Sequence, residues 1–509
     1  MNEITAVDQI GFPILSTMIV LPLVLLVIVG LLRDQRSMRP VALAGALIEL
    51  AGSLLLVARF KRGEAGFQFS ERVPWIDELG VNYHLAVDGI SVLFLPLTAF
   101  LLVVVMLTSW AAVRQRPRGY LMMILAFESA AIGVFCSVDL IVFFVFWELV
   151  LIPTYVLMRI WGSGPNRART ARRYVLNMLT GSACLLAGFI LLALNHRDST
   201  GTLSFDLLIL MQQDLPAGRE TLVFFLLAFA FALKAPLFPF HSWMPSALLD
   251  GPIGMAVFLS GLKFGVFGFL RFVMPLTPDA FVTWRWLVAG FGLAAILFGA
   301  LVALAEPNMR RLQAFASVSH VGLAMVGLAS LTVQGVQGAL FLILSLGVTS
   351  TGMLLAAGFV HQRMGSTDIA SLGGLAQRAP VLALFAFVAG LSAIALPGTI
   401  GFPGEFLVLL GAFEASGWMA AGAVVTVVVS AAYVLVYYQR AFNGPVANPM
   451  VEAVADLRPT EAIAGFAVGA LILAFGFFPG AILEFTKVSV DVVVERLAQP
   501  DARAEPVKG

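Results

Sequence analysis

An apolar stretch of about twenty residues recurs along almost the whole chain, and that is the length a helix needs to cross the roughly 30 Å hydrocarbon core of a bilayer. Such stretches lie near 12–32, 40–58, 85–109, 119–135, 140–160, 174–194, 221–239, 252–274, 283–304, 311–330, 335–359, 380–413, 417–438 and 462–480. Inside hydrocarbon each backbone donor and acceptor must be paired within the segment, so stretches of this length are helices. The pattern predicts an all-α polytopic membrane protein of about 14 transmembrane helices. Composition agrees: 60% of residues are hydrophobic and 12% charged, against about 25% charged in soluble domains. Glu3 and Asp8 precede the first stretch in place of a basic leader, so it is read as a mature helix and not a cleaved signal.

Basic residues orient the bundle. Arg33, Arg36 and Arg39 follow the first stretch, Arg114, Arg116 and Arg118 the third, and Arg159, Arg167, Arg169, Arg172 and Arg173 the fifth. Arg310, Arg311, Arg363, Arg378, Arg440 and Arg458 fall on the same side if the count of fourteen holds. The positive-inside rule makes that side cytoplasmic and places both termini outside. The net charge of +1 points to no nucleic-acid partner. Cys136 and Cys184 stand singly in apolar stretches, with no paired spacing for zinc, a cluster or a disulfide. No glycine fingerprint for a nucleotide is present, so no cofactor is expected in this chain.

Charges inside such stretches define the candidate site, because a charged side chain at a helix centre costs about 2.5–3.5 kcal/mol on insertion scales. Five residues qualify on separate stretches: Glu148 in "FFVFWELVLIP", Lys234 in "FALKAPLFPFHSWMP", Lys263 in "LSGLKFGVFGFLR", His320 in "SVSHVGLA" and Glu405 in "GTIGFPGEFLVLL". Pro236 and Pro239 predict a helix break directly after Lys234, since proline lacks a donor and biases its predecessor away from helix. Freed carbonyls and trapped water at that break would solvate the ammonium. Pro397, Gly398, Gly401, Pro403 and Gly404 predict a second break bordering Glu405. Gly261, Gly265 and Gly268 let neighbours approach closely around Lys263, so it is expected to face protein and not lipid.

Ordinary readings compete with each of these. Lys234 could snorkel to an interface, Glu148 and Lys263 could be packing ion pairs, and His320 could be a neutral, hydrogen-bonded core histidine. Asp139 is read as a helix cap, and Glu128 as a further buried acid without an evident partner. Two broken helices in corresponding places predict two inverted five-helix repeats, 119–274 and 275–445, after N-terminal helices in 1–118 and before a final helix and polar tail in 446–509. Glutamate, lysine and histidine each bind or release a proton, so a water-bridged row of them is a proton path.

Over nearly its whole length the chain resembles the antiporter-like chain M family of respiratory NADH-quinone oxidoreductase, complex I, whose mitochondrial counterpart is NADH dehydrogenase subunit 4. The resemblance is carried by "YHLAVDGISVLFLPLTAFL", "DLIVFFVFWELVLIPTYVLM", "FALKAPLFPFHSWMP", "RRLQAFASVSHVGLAMVG" and "LPGTIGFPGEFLVLLGAF". It implies a proton-translocating subunit of the cell inner membrane, in which Glu148 and Lys234 pair, Lys263 connects, His320 continues the axis and Glu405 ends it. It further implies sister chains L and N as partners in the lipid bilayer. NADH, FMN, iron–sulfur clusters and quinone would belong to partner subunits, with no redox site in this chain. Sister chains usually carry lysine at the Glu405 position, and that acid favours chain M.

There are departures. Ser246, Leu248 and Gly251 in "PSALLDGP" and Leu346 in "SLGVTST" replace the family's usual residues near the central axis. The alternative reading is the homologous subunit of a multisubunit Na+/H+ antiporter, a membrane-bound hydrogenase or an inorganic-carbon uptake complex. A third is a membrane scaffold whose ion pairs serve packing alone.

Overall fold

The computed structural model describes residues 3–446 and 448–498, so Asn2 and the segment after Ala498 lie outside the described residues. In chain order a short strand β1 (Glu3–Thr5) and α1 (Ala6–Ile10) lead into α2 (Ile14–Leu31) and α3 (Gln35–Arg59). The strands β2 (Phe67–Ile76) and β3 (Val81–Val87) follow, then α4 (Phe94–Ala112), α5 (Pro117–Cys136), α6 (Leu140–Leu149), α7 (Leu151–Trp161) and α8 (Arg167–Thr200). Next come α9 (Leu207–Leu210), α10 (Ala217–Lys234), α11 (Trp243–Asp250), α12 (Ile253–Gly261), α13 (Phe264–Gly268) and, beyond a π-helical turn at Phe269–Val273, α14 (Met274–Leu276). The second half holds α15 (Pro278–Ala305), α16 (Met309–Ala329), α17 (Val333–Met364), α18 (Leu375–Arg378), α19 (Pro380–Ala393) and α20 (Gly401–Ala415). It closes with α21 (Gly417–Phe442), α22 (Pro449–Glu452), α23 (Pro459–Phe477) and α24 (Gly480–Ala498).

Among the described residues, 11 spans are long and apolar enough to cross a membrane, and Phe94–Trp110 and Pro380–Ala393 are shorter apolar helices. Burial separates them into an inner and an outer set. The most apolar 18-residue windows of Met309–Ala329 and Val333–Met364 are wholly buried, and that of Ile253–Leu276 is 94% buried. These helices are hydrophobic all round because they meet protein on every side. The outer spans, such as Gly417–Phe442 at 33% and Pro459–Phe477 at 28%, expose apolar surface suited to lipid or a neighbouring subunit. Inner helices approach closely where side chains vanish: a Cβ on Gly292 would press on the Gly322 carbonyl, and one on Gly322 on that of Gly292. This mutual contact lets α15 and α16 lie almost backbone to backbone.

The helical expectation holds through the membrane part, and a small sheet adds to it. Order β1-β2-β3 combines a parallel β1–β2 pair with an antiparallel β2–β3 hairpin, turned at Gly80, whose φ of 65° favours glycine. Asp139 caps α6 as expected, accepting from the backbone N–H of Ile141 and Val142. One expectation is corrected. Residues after 480 form not a short polar tail but the helix α24, which packs on α17 and carries Arg496, whose Nε donates to the Pro275 carbonyl at 3.1 Å. Its apolar residues Ile482, Phe485, Val490 and Val493 are buried there, the face a solvated tail would lack.

His84 on β3 ties the sheet to the helices. Its Nδ1 lies 2.9 Å from Asp206 and its Nε2 3.2 Å from Glu3 of β1, with Arg72 3.2 Å from the same Asp206. Burial alone would lower the imidazole's pKa, but the hydrogen bonds and charges of Asp206 and Glu3 outweigh it and hold the value at about 9. A folded pKa above the unfolded value near 6.5 contributes stability that is full below that value and lost as pH rises through about 9. We expect protease protection of the β1–β3 region to fall between pH 7 and 10 in the wild type and to stay flat in His84→Gln. An equal pH slope in both would assign the effect to other groups.

Candidate functional site: a buried row of titratable side chains

The first cluster forms where α10 stops. α10 ends at Lys234, as the prolines require, and a short 3-10 turn at Phe240–Ser242 leads into α11. Lys234 is 8% exposed. Of the carbonyls that the break frees, that of Leu233 accepts from the indole N–H of Trp243 at 2.9 Å, and none hydrogen-bonds the ammonium among the described residues. The ammonium instead sits 4.7 Å over the ring of Trp147, an interaction worth about 2 kcal/mol or more where water is excluded. Trp147 is the neighbour of Glu148 at the end of α6. Glu148 is half-buried, accepts from the Ser182 hydroxyl of α8, and acts on Lys234 through its charge without an ion-pair contact.

The second cluster is built on a break the sequence reading missed. Lys263 lies between α12 and α13, with φ −83° and ψ 55°, so the helix is interrupted at the lysine itself. Gly265, two residues on, meets the end of α10: a Cβ there would collide with the Ala235 nitrogen and the Phe231 carbonyl. The breaks that carry Lys234 and Lys263 therefore abut. Lys263 Nζ donates to Ser317 Oγ at 2.6 Å, a charge-assisted hydrogen bond that fixes the ammonium against α16.

One turn along α16 from Ser317 stands His320, 3% exposed, and α20 delivers Glu405, also 3% exposed, to meet it. Nε2 of His320 is 3.1 Å from Glu405 Oε1, and Nδ1 is 2.7 Å from the Ala316 carbonyl. Two arrangements satisfy this geometry. Either an imidazolium donates to a carboxylate and a carbonyl, or a neutral ring accepts from a carboxylic acid; one proton moving along one hydrogen bond interconverts them. The other carboxylate oxygen, Oε2, has no partner.

Ser317, His320 and Glu405 line one enclosed cavity of about 10 Å³, together with Ser345, Thr349, Ser350 and Ser392. That is room for about one water. Leu346, one of the expected departures, also lines it. The neighbouring hydroxyls supply the hydrogen-bonding capacity that leucine lacks, and the Ser350 Oγ is unpartnered. Of the five residues singled out in the sequence, the structure thus joins His320 with Glu405 directly, links Lys263 to them through Ser317, and sets Glu148 with Lys234 around Trp147. Ser182, Ser317 and Trp147 were not singled out, because a serine or tryptophan inside an apolar helix carries no signal until its neighbour is known. No group of three or more His, Cys, Asp or Glu suited to a metal occurs among the described residues.

A second buried ion pair lies elsewhere. Asp88 and Arg271, each 7% exposed at the side chain, meet through two hydrogen bonds, with Arg271 in the π-helical turn. The pair anchors the chain before α4 to that turn.

Titratable side chains held at interrupted helices inside an apolar bundle define the class of ion-translocating membrane subunits. The chain belongs to the NADH:quinone oxidoreductase/Mrp antiporter membrane family, whose model matches residues 137–430. Among its relatives is NADH-quinone oxidoreductase subunit M of Rickettsia conorii, 34% identical over 95% of this chain and 99% of its own length. NADH-ubiquinone oxidoreductase chain 4 of Arabidopsis thaliana is 33% identical over 90% of this chain and 92% of its own. A chain of respiratory complex I from Thermus thermophilus superposes with a TM-score of 0.86 at 33% identity, covering 95% of this chain and 99% of that one. An Mrp complex from a Dietzia species gives a TM-score of 0.80 at 22% identity, with 95% and 100% covered, which shows the fold alone.

Proposed function

We propose that this chain is the subunit M of an NADH-quinone oxidoreductase and moves protons through Glu148, Lys234, Lys263, His320 and Glu405 while partner subunits oxidise NADH and reduce quinone. The observation that carries this is the linked set Lys263–Ser317–cavity–His320–Glu405 inside helices enclosed by protein. A packing pair needs no water-sized polar cavity beside it, and a proton path does. In this reading a proton enters at Glu148 and Lys234, passes the abutting breaks to Lys263, and crosses the cavity to the His320–Glu405 pair, whose free Oε2 hands it on. Resemblance to relatives of the same name supports the assignment.

The same reading gives fourteen crossings: the 11 long spans, α4, the interrupted pair α10–α11 and the interrupted pair α19–α20. They form N-terminal helices in 1–118, two inverted five-helix repeats in 119–274 and 275–445, and a closing part in 446–509. Sister chains L and N flank this chain in the cell inner membrane, with both termini outside. The arginine-rich loops support that orientation. Cysteines placed at Gly63 and Ser163, both exposed, are expected to react with impermeant reagent from opposite faces of sealed vesicles. Labelling of both from one face would reverse the topology.

An Mrp-type antiporter subunit is the second reading, favoured by the family model it shares. Affinity purification from native membranes distinguishes the two. Flavin and iron–sulfur subunits that copurify in stoichiometric amount, with NADH:quinone activity, establish the first. A complex devoid of them that exchanges Na+ for protons establishes the second.

A further inference from the structure

Glu128, on α5, is wholly buried, and the structure supplies the neighbour its sequence context did not reveal. Glu49 on α3 is 1% exposed and is the charged group that acts on Glu128. Both acids sit near mid-helix: Glu128 is eight residues, about 12 Å along the axis, from the end of α5 at Cys136, and Glu49 lies ten residues before Arg59. None of their four carboxylate oxygens has a hydrogen-bond partner. Nor is a cation built into this bundle, because α2 and α4 carry no charged residue and the arginines of α3 and α5 lie at helix ends. An ionised carboxylate stripped of donors in apolar surroundings costs several kcal/mol or more, and such a group takes up a proton instead.

The acids also lead somewhere. Cys136 at the end of α5 has Glu71 and Glu49 as its charged neighbours. Glu71 of β2 accepts from the backbone N–H groups of Leu15 and Ser16 at 2.7 and 3.0 Å, and Ser16 Oγ lies 3.0 Å from the hydroxyl of half-buried Tyr83. Cys136 thus has one carboxyl acting on it from the bundle, Glu49, and one from the sheet, Glu71. All of them lie before residue 137, outside the part of the chain matched by the family model.

We propose that Glu49 and Glu128 form a second proton-holding site, apart from the row that ends at Glu405, which exchanges its protons with the sheet-bearing face through Glu71. The site takes a proton and no other ligand. It is a lateral store, so it does not rest on the relay through Lys234 and Lys263.

Infrared absorption of the intact purified complex in water and in heavy water tests this. Wild-type minus Glu49→Gln and wild-type minus Glu128→Gln spectra should each contain the carbonyl band of a protonated carboxyl, shifted by deuteration. Glu71→Gln should slow that shift tenfold or more. Absence of the band in both differences means that the acids are ionised and overturns the site. A band that never shifts in heavy water, or shifts at an unchanged rate in Glu71→Gln, overturns the exchange route. Should neither Gln variant assemble, a hydrophobic carbodiimide, which reacts with protonated carboxyls, should modify Glu49 and Glu128 in the unmutated complex, and unmodified peptides would sink the proposal. Loss of translocation in variants of Glu148 or Glu405 reports on the main row alone, so the two readings fail separately.

Discussion

In membranes carrying Glu148→Gln, assembled complex should be present at wild-type level while proton translocation per NADH oxidised falls by about an order of magnitude. The amide keeps an oxygen to accept from the Ser182 hydroxyl, so the local packing between α6 and α8 survives. What disappears is the negative charge acting on Lys234 across Trp147. A coupling of only about 1.4 kcal/mol changes a protonation equilibrium tenfold, and the enclosed ammonium has no direct ion pair to replace it. Lys234→Ala should fail similarly and also lose stability, because the cation over the indole is removed and its volume left empty. A wild-type proton-to-electron ratio in assembled Glu148→Gln membranes would show that the carboxylate serves packing. Loss of assembly with both substitutions would point to a scaffold.

Substitutions of Glu405 should separate into two phenotypes. Glu405→Gln retains an acceptor for His320 Nε2 at 3.1 Å, so the complex assembles, but the side chain cannot take the proton. Translocation through this subunit should fall severalfold or more. Glu405→Ala removes the acceptor altogether and leaves His320, 3% exposed, facing an emptied cavity. Breaking a buried charged pair from one side costs about 3–5 kcal/mol, so this variant should also lower assembly. Glu405→Lys, which keeps a titratable group, should translocate better than Glu405→Ala. The measurement is proton uptake per NADH in vesicles, normalised to assembled complex. If the Ala, Gln and Lys variants all translocate at the wild-type ratio, the proton leaves by another route.

The two experiments bracket the row from opposite ends, and its middle rests on Lys263. The contact of Gly265 with Ala235 and Phe231 explains why a glycine follows the lysine: any side chain there would push apart the breaks that bring Lys234 and Lys263 together. Leu346 on the cavity wall suits the same arrangement. In the proposed row, proton transfer across the cavity would use the hydroxyls and a water, and the leucine fills space without competing for that water's hydrogen bonds.

Local chemistry determined much of this protein in advance. Twenty-residue apolar stretches fix helices because hydrocarbon leaves the backbone no other partner, and Pro236 and Pro239 fix the end of α10 at Lys234 because proline cannot continue it. Glu148, Lys234, Lys263, His320 and Glu405 stood out since each charge is costly at membrane depth. Which of them meet was decided only by the tertiary structure. Lipid and protein interior are both apolar, so hydropathy carries no sign of which face is enclosed; glycines marked Lys263 as facing protein, but nothing in "SVSHVGLA" says that His320 turns towards α20. Ser317 under Lys263, Trp147 under Lys234 and Glu49 beside Glu128 are neighbours across 54, 87 and 79 residues of sequence. Such pairings follow from how helices pack, and helix packing in a membrane is set by close contact at small residues, which no hydropathy pattern encodes.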